Sequence, residues 1–182
     1  MICGIDPGLT GGIAFVANDT VLAYRTPVLK ISKKRYIDIW SAMTMIKDHK
    51  PSHIFIEKQQ AMPRQGVAST FKTGFGYGVY IGILHALGYS YTVVIPRKWK
   101  SDLGVPSDKD LARQRATDLM PMGESSWSRK CEDGVAEASL IAYWGLYCGQ
   151  SPSGSKTGVL SKNFTKASIR GFFGPDDTLP KQ

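Results

Sequence analysis

The residue types that staple small proteins or bind metal softly are scarce in this chain. Three cysteines, Cys3, Cys131 and Cys148, make an odd number without a Cys-x-x-Cys pair. Neither a disulfide framework nor a zinc site is indicated, and the thiols read as buried groups in a reducing compartment. The three histidines, His49, His53 and His85, fall on predicted helices or at a strand start, away from the motifs below, and no chemistry is assigned to them. No apolar run approaches the roughly 20 residues that span a bilayer. The N-terminus, MICGIDPGLT, carries an acid where a secretion signal carries Lys or Arg. A soluble protein in the cytoplasm, with no membrane partner, is the expectation. Acids are also in the minority: 15 Asp and Glu face 23 Lys and Arg, a net charge of +8. That balance suits a polyanionic partner, although bland basic proteins share it.

What is present is enough for one core. With 182 residues and 42% hydrophobic content, the chain reads as one domain over 1–149 and a tail over 150–182. The tail is rich in Ser, Gly and Lys, with Lys156, Lys162, Lys166, Arg170 and Lys181 against Asp176 and Asp177, so a DNA-contacting arm and a solvated tail are both open. Residues 2–6 and 12–16 are apolar runs around a Pro-Gly-Leu-Thr-Gly turn, which predicts two paired strands, with a third at 20–25. A helix is predicted over 35–49, a buried strand over 53–57, and a long Gly-rich helix over 64–87 with Phe71, Phe75, Val79, Ile83 and Leu87 four apart. A strand at 91–96 and helices at 108–120 and 132–147 complete an α/β order: a mixed sheet flanked by helices.

Four acids stand out by position. Asp6 ends the first apolar strand and Glu57 ends the buried strand HIFIE, so each carboxylate leaves the sheet at a strand end. A turn-initiating Asp is the plain alternative for Asp6. Asp133 and Glu137 are four apart on an otherwise apolar helix and project from one face about one turn apart. Carboxylates packed among core residues need a partner. A cluster of this kind without Cys or His suits a hard cation, Mg²⁺ or Mn²⁺. Two such ions about 4 Å apart would activate water and stabilise the leaving oxygen in attack on a phosphodiester.

The segments GIDPGLTGGIA, IEKQQAMPRQGVASTFKTGFGYG, VIPRKWKSDLG and EDGVAEASLIA, in this order, resemble the RuvC-like Holliday junction resolvases, in particular their phage and organellar branch. The resemblance covers about residues 2–147. It implies a ribonuclease-H-like fold, a homodimer, and Mg²⁺- or Mn²⁺-dependent nicking of four-way junctions and other branched DNA. It also implies that Asp6, Glu57, Asp133 and Glu137 are the catalytic metal ligands, the set already reached from strand ends and helix spacing. A phage-infected or bacterial cell is the setting it favours, with an organelle as the alternative. Relatives often carry His immediately before the last acidic pair. This chain carries Glu132, which is either a further acid or a residue turned away.

DNA contacts are expected from Met62, Arg64 and Gln65 in the loop after Glu57, with Met62 filling a base step. Lys98, Lys100, Lys109 and Arg113 are placed beside the site, and the resemblance implies that Lys100 and Lys109 meet phosphates. Trp99 reads as core, and the Gly-rich helix over 70–87 is the candidate dimer surface. Two other readings share these features: a ribonuclease-H-like RNA-processing nuclease, which generally lacks AMPRQGV and DGVAEA, and a junction-binding protein that does not cleave.

Overall fold

The structure is a computed structural model and describes residues 1–61 and 63–149. The expected mixed sheet is there. Strands β1 (Ile2–Asp6), β2 (Gly12–Ala17), β3 (Thr20–Arg25), β6 (His53–Glu57) and β7 (Tyr91–Val94) form one sheet in the order β3-β2-β1-β6-β7. β1 runs antiparallel to β2 and parallel to β6, and β7 is parallel to β6. Between β3 and β6 the chain makes a separate hairpin, β4 (Val28–Ile31) with β5 (Lys34–Ile37), and then helix α1 (Ile39–His49). Helices α2 (Val67–Leu87), α3 (Pro96–Asp102), α4 (Lys109–Leu119) and α5 (Asp133–Tyr147) account for most of the remainder. No helix of the described residues is long and apolar enough to cross a membrane.

The sheet separates two apolar cores because successive side chains of a strand point to opposite faces. On one face, Cys3, Ile5, Ile13, Ile54 and Ile56 meet α1 and α2 through Ile46, Tyr80 and Leu84. On the other, Ile2, Val16 and Phe55 meet α3, α4 and α5 through Trp99, Ala116, Leu140 and Trp144. α5 lies close against β1, since a Cβ on Gly4 would overlap the Ala138 carbonyl and sit 2.5 Å from the Ala142 nitrogen. That approach requires glycine.

Several boundaries differ from expectation. The predicted helix over 35–49 starts only at Ile39, where the Asp38 side chain accepts from the Ser41 N–H at 3.1 Å, and residues 34–37 are the second strand of the hairpin. The long helix begins at Val67 rather than 64, after Gly66. The seventh strand stops at Val94, and Pro96, pre-set for a first helical turn, opens the unpredicted α3. The cysteines are not uniformly buried: Cys3 is, whereas Cys131 is exposed and Cys148 is intermediate. Within α2 the buried residues are Gly76, Tyr80, Ile83 and Leu84, while Phe71 and Phe75 face solvent at 72% and 51% exposure. Met62 and the whole 150–182 tail lie outside the described residues.

Candidate active site

The strand period decides where two of the acids go. Ile2 and Gly4 of β1, and Phe55 of β6, face α5, so Asp6, two residues after Gly4, and Glu57, two after Phe55, belong to the same face. The register sets Ile5 opposite Ile56, which brings Asp6 and Glu57 level on neighbouring strands. Above them, α5 contributes Asp133 from its first turn and Glu137 one turn later. The start of α5 reaches the Asp6 hairpin because two glycines meet there: a Cβ on Gly134 would overlap the Thr10 carbonyl and stand 2.5 Å from the Gly11 Cα.

Like charge at this spacing is costly, and it bears on the protonation of the acids. The Asp6 carboxyl is pushed well above the usual range by burial and then by the Glu57 and Glu137 carboxylates, with Lys100 and Lys109 pulling the other way. Glu57 is raised for the same two reasons, burial first and Glu137 second. Both Glu57 oxygens are nevertheless held. The buried Trp99 indole N–H donates to Oε1 at 3.1 Å and the Gln59 amide donates to Oε2 at 2.9 Å.

Cations occupy the other two acids. Lys100 Nζ lies 2.6 Å from Glu137 Oε1 and 5.1 Å from the centre of the Trp99 ring. Lys109 and Arg113 reach Asp133 at 2.9 and 2.7 Å. Burial acts to raise Asp133, but the hydrogen bonds from Lys109 and Arg113 prevail and hold it below the ordinary carboxylate range. Lys109 and Arg113 are raised in turn by their bonds to Asp133. Three positive side chains thus supply the charge that an acidic cluster demands.

The structure brings Asp6, Glu57, Asp133, Glu137, Lys100, Lys109 and Arg113 into one site. Other expected residues stand apart. Lys98 pairs with Asp102 at 2.7 Å, and Asp102 also accepts from the Trp144 indole. Arg64 is exposed with φ 64°, in the turn after β6, and Gln65 folds back toward Ser69 and Thr73 of α2. Glu132 is turned away from the cluster. It is buried and receives Arg129 Nε at 2.9 Å and the Arg129 backbone N–H at 3.0 Å, bonds that lower its carboxyl and close a capping box ahead of α5. Two residues of the site escaped sequence reasoning, Trp99 as more than core and Gln59. Their signal was present, because Gln59 lies two residues after Glu57 and Trp99 stands among basic residues in RKWK.

All four acids offer oxygen, the donor that hard divalent cations prefer, so the chemistry of the set fits Mg²⁺ or Mn²⁺. As the side chains stand, no three of the His, Cys, Asp and Glu groups among the described residues are drawn close enough to hold one ion. Glu137 is instead paired with Lys100, and Asp133 with Lys109 and Arg113.

No protein-family model matches the chain. It is 29% identical over 94 residues to the chloroplastic Holliday junction resolvase MOC1 of Chlamydomonas reinhardtii, a stretch covering 50% of this chain and 11% of that protein. The chain therefore spans only a small part of that relative's length. Among solved structures it is similar to T. thermophilus RuvC in complex with a Holliday junction substrate, with a TM-score of 0.57, 20% identity, and coverage of 80% of this chain and 94% of that one. A second Thermus thermophilus RuvC structure gives a TM-score of 0.53 at 16% identity over 80% of this chain and 95% of that one.

Proposed function

We propose that this chain, which has the ribonuclease-H-like fold of RuvC, is a structure-selective DNA endonuclease that resolves four-way junctions and other branched DNA as a homodimer. The observation that carries the reading is the convergence of four carboxylates from β1, β6 and α5 on one spot lined by three cations. The partial sequence likeness to a junction resolvase supports the choice of substrate.

In this reading Asp6, Glu57, Asp133 and Glu137 hold Mg²⁺ or Mn²⁺, two ions matching the four negative charges. A bound divalent ion contributes Lewis acidity toward the scissile phosphate and a lowered pKa for an attacking water. The chain's own residues do the rest. Trp99 and Gln59 fix Glu57 in one orientation, so its carboxylate is placed before substrate arrives. Lys100, Lys109 and Arg113 exchange their carboxylate partners for backbone phosphates as DNA docks, which positions the strand and frees Asp133 and Glu137. In the same reading the exposed Arg64 contacts DNA outside the acidic cluster. The exposed glycines of α2, Gly74, Gly78 and Gly82, recur every four residues and leave room for a second α2 to approach closely.

The test is cleavage of a mobile four-way junction beside linear duplex and a splayed fork, with Mg²⁺, with EDTA, and with Asp133→Asn. Paired nicks confined to branched DNA, lost in EDTA and reduced at least a hundredfold in the variant, are expected. Junction binding with no cutting under Mg²⁺ or Mn²⁺ would leave an architectural role, and cutting of RNA alone would leave an RNA-processing nuclease.

A further inference from the structure

A groove of about 1000 Å³ opens between the β4–β5 hairpin and the first turns of α2, at the upper end of ordinary ligand sites. Its wall includes the rings of Phe71, Phe75 and Tyr36. Phe71 and Phe75 lie nearly parallel, 23° apart with centroids 6.3 Å from each other, and both are exposed. Lys33, Lys34, Arg35 and Lys72 also line it, and none of the described lining residues is acidic. Among the described residues, no carboxylate pairs with Lys33, Lys34 or Lys72.

The groove reaches the turn that follows Asp6, although none of the four acids lines it. Leu9 and Thr10, in the turn that follows Asp6, form part of its wall, and the Arg35 guanidinium donates to the Leu9 carbonyl at 3.0 Å. Gly76, also in the wall, comes so near this turn that a Cβ there would stand 2.8 Å from the Pro7 carbonyl oxygen. The turn over residues 7–11 therefore has the start of α5 on one side and the groove on the other.

Flat aromatic rings beside unpaired cations suit single-stranded nucleic acid, in which bases stack on rings and phosphates lie along the basic residues. We propose that this groove takes up unpaired nucleotides of the DNA strand that leaves the carboxylate cluster, with bases against Phe71 and Phe75 and phosphates on Lys33, Lys34 and Lys72. The inference rests on the nuclease reading above and adds a basis for its selectivity. A paired base keeps its faces inside the duplex stack, whereas a branch point offers free ones, so the groove is filled only where pairing is lost. A second copy of the same groove is a poor occupant, since four cations would face four. Around α2, at about 100° per residue, Phe71 falls between Gly78 and Gly82, so a contact between copies is the competing occupant that sedimentation tells apart.

The experiment uses the full chain in EDTA with a short oligothymidylate carrying one 5-iodouracil, ultraviolet crosslinking with mapping of the adducts, and anisotropy titrations of the same strand and of linear duplex. Crosslinks at Phe71, Phe75 or Tyr36 are expected. Combined Phe71→Ala and Phe75→Ala should weaken oligothymidylate binding roughly tenfold, with duplex affinity and sedimentation unchanged. Lys72→Glu, an exposed change that does not touch the rings, should weaken it in the same direction. Adducts confined to other surfaces with unchanged affinity in the double variant overturn the proposal. So does a double variant that loses duplex binding equally and sediments as a smaller species, which would make the groove a contact between copies. Junction nicking in Mg²⁺ is scored separately: groove adducts without nicking retain the groove and remove the nuclease, and nicking without groove adducts does the reverse.

Discussion

Among single residues, Trp99 has the most to say about the site. Its side chain is buried and its one polar atom is spent on Glu57. Trp99→Phe keeps most of the volume and removes the donor, leaving a buried carboxylate oxygen short of a partner. A loss of about 1 to 3 kcal/mol in a urea titration is expected, with roughly tenfold slower junction nicking. Asp6 should behave in the opposite sense for stability. Its folded pKa is raised, so its ionised form disfavours folding at neutral pH, and stability returns as pH falls through the folded pKa toward the unfolded one. Asp6→Asn in EDTA should therefore raise the melting temperature at pH 7 by about 2 to 4 °C, with the difference shrinking at acid pH, while nicking is abolished. The four acids were legible because strand ends and an i,i+4 spacing are periodic signals. The Trp99–Glu57 bond was not, because 42 residues separate the pair and only the folded sheet and α3 bring them together. Glu132 is settled partly by a local pair with Arg129 three residues earlier and partly by Arg25, which only the fold brings near.

Secondary elements set where these residues stand, and the tightest fit is β1 against α5. Gly4→Ala would drive a methyl group into the α5 backbone at Ala138 and Ala142, forcing the helix outward. Overpacking of this sort costs roughly 1 to 3 kcal/mol, and because α5 carries Asp133 and Glu137, nicking should fall by more than the stability loss explains. Equilibrium unfolding beside single-turnover rates separates the two effects. The elements that sequence reasoning missed share a physical trait. The β4–β5 hairpin turns at Ser32, at φ 56°, without the Gly or Asn that usually marks such a turn, and its strands are four residues each. It persists through contacts made elsewhere, the Arg35 bond to Leu9 and the Asp38 N–H to the Pro27 carbonyl at 2.9 Å. For α3, Pro96 at the first helical position was a readable signal that the preceding apolar run obscured.

For the molecule as a whole, the proposed dimer would decide whether cuts come singly or in pairs. Gly78 of α2 faces open space, so Gly78→Trp leaves the fold alone and obstructs close approach of a second α2. The expected result is a smaller species in sedimentation velocity and single nicks in place of paired ones; unchanged size and paired nicking would place the dimer contact on another surface. The two halves of the core differ in one further respect. Trp99, Trp127 and Trp144 all sit on the α5 side of the sheet, the opposite core contains none, and Trp40 is exposed on α1. Replacing Trp40 alone would leave the described residues with indole emission arising only from the half that carries the acids. The protein would then hold its own optical probe, in which Trp99 touches Glu57 directly, and if the acids take up paramagnetic Mn²⁺ as proposed, its arrival would dim that light with no DNA present.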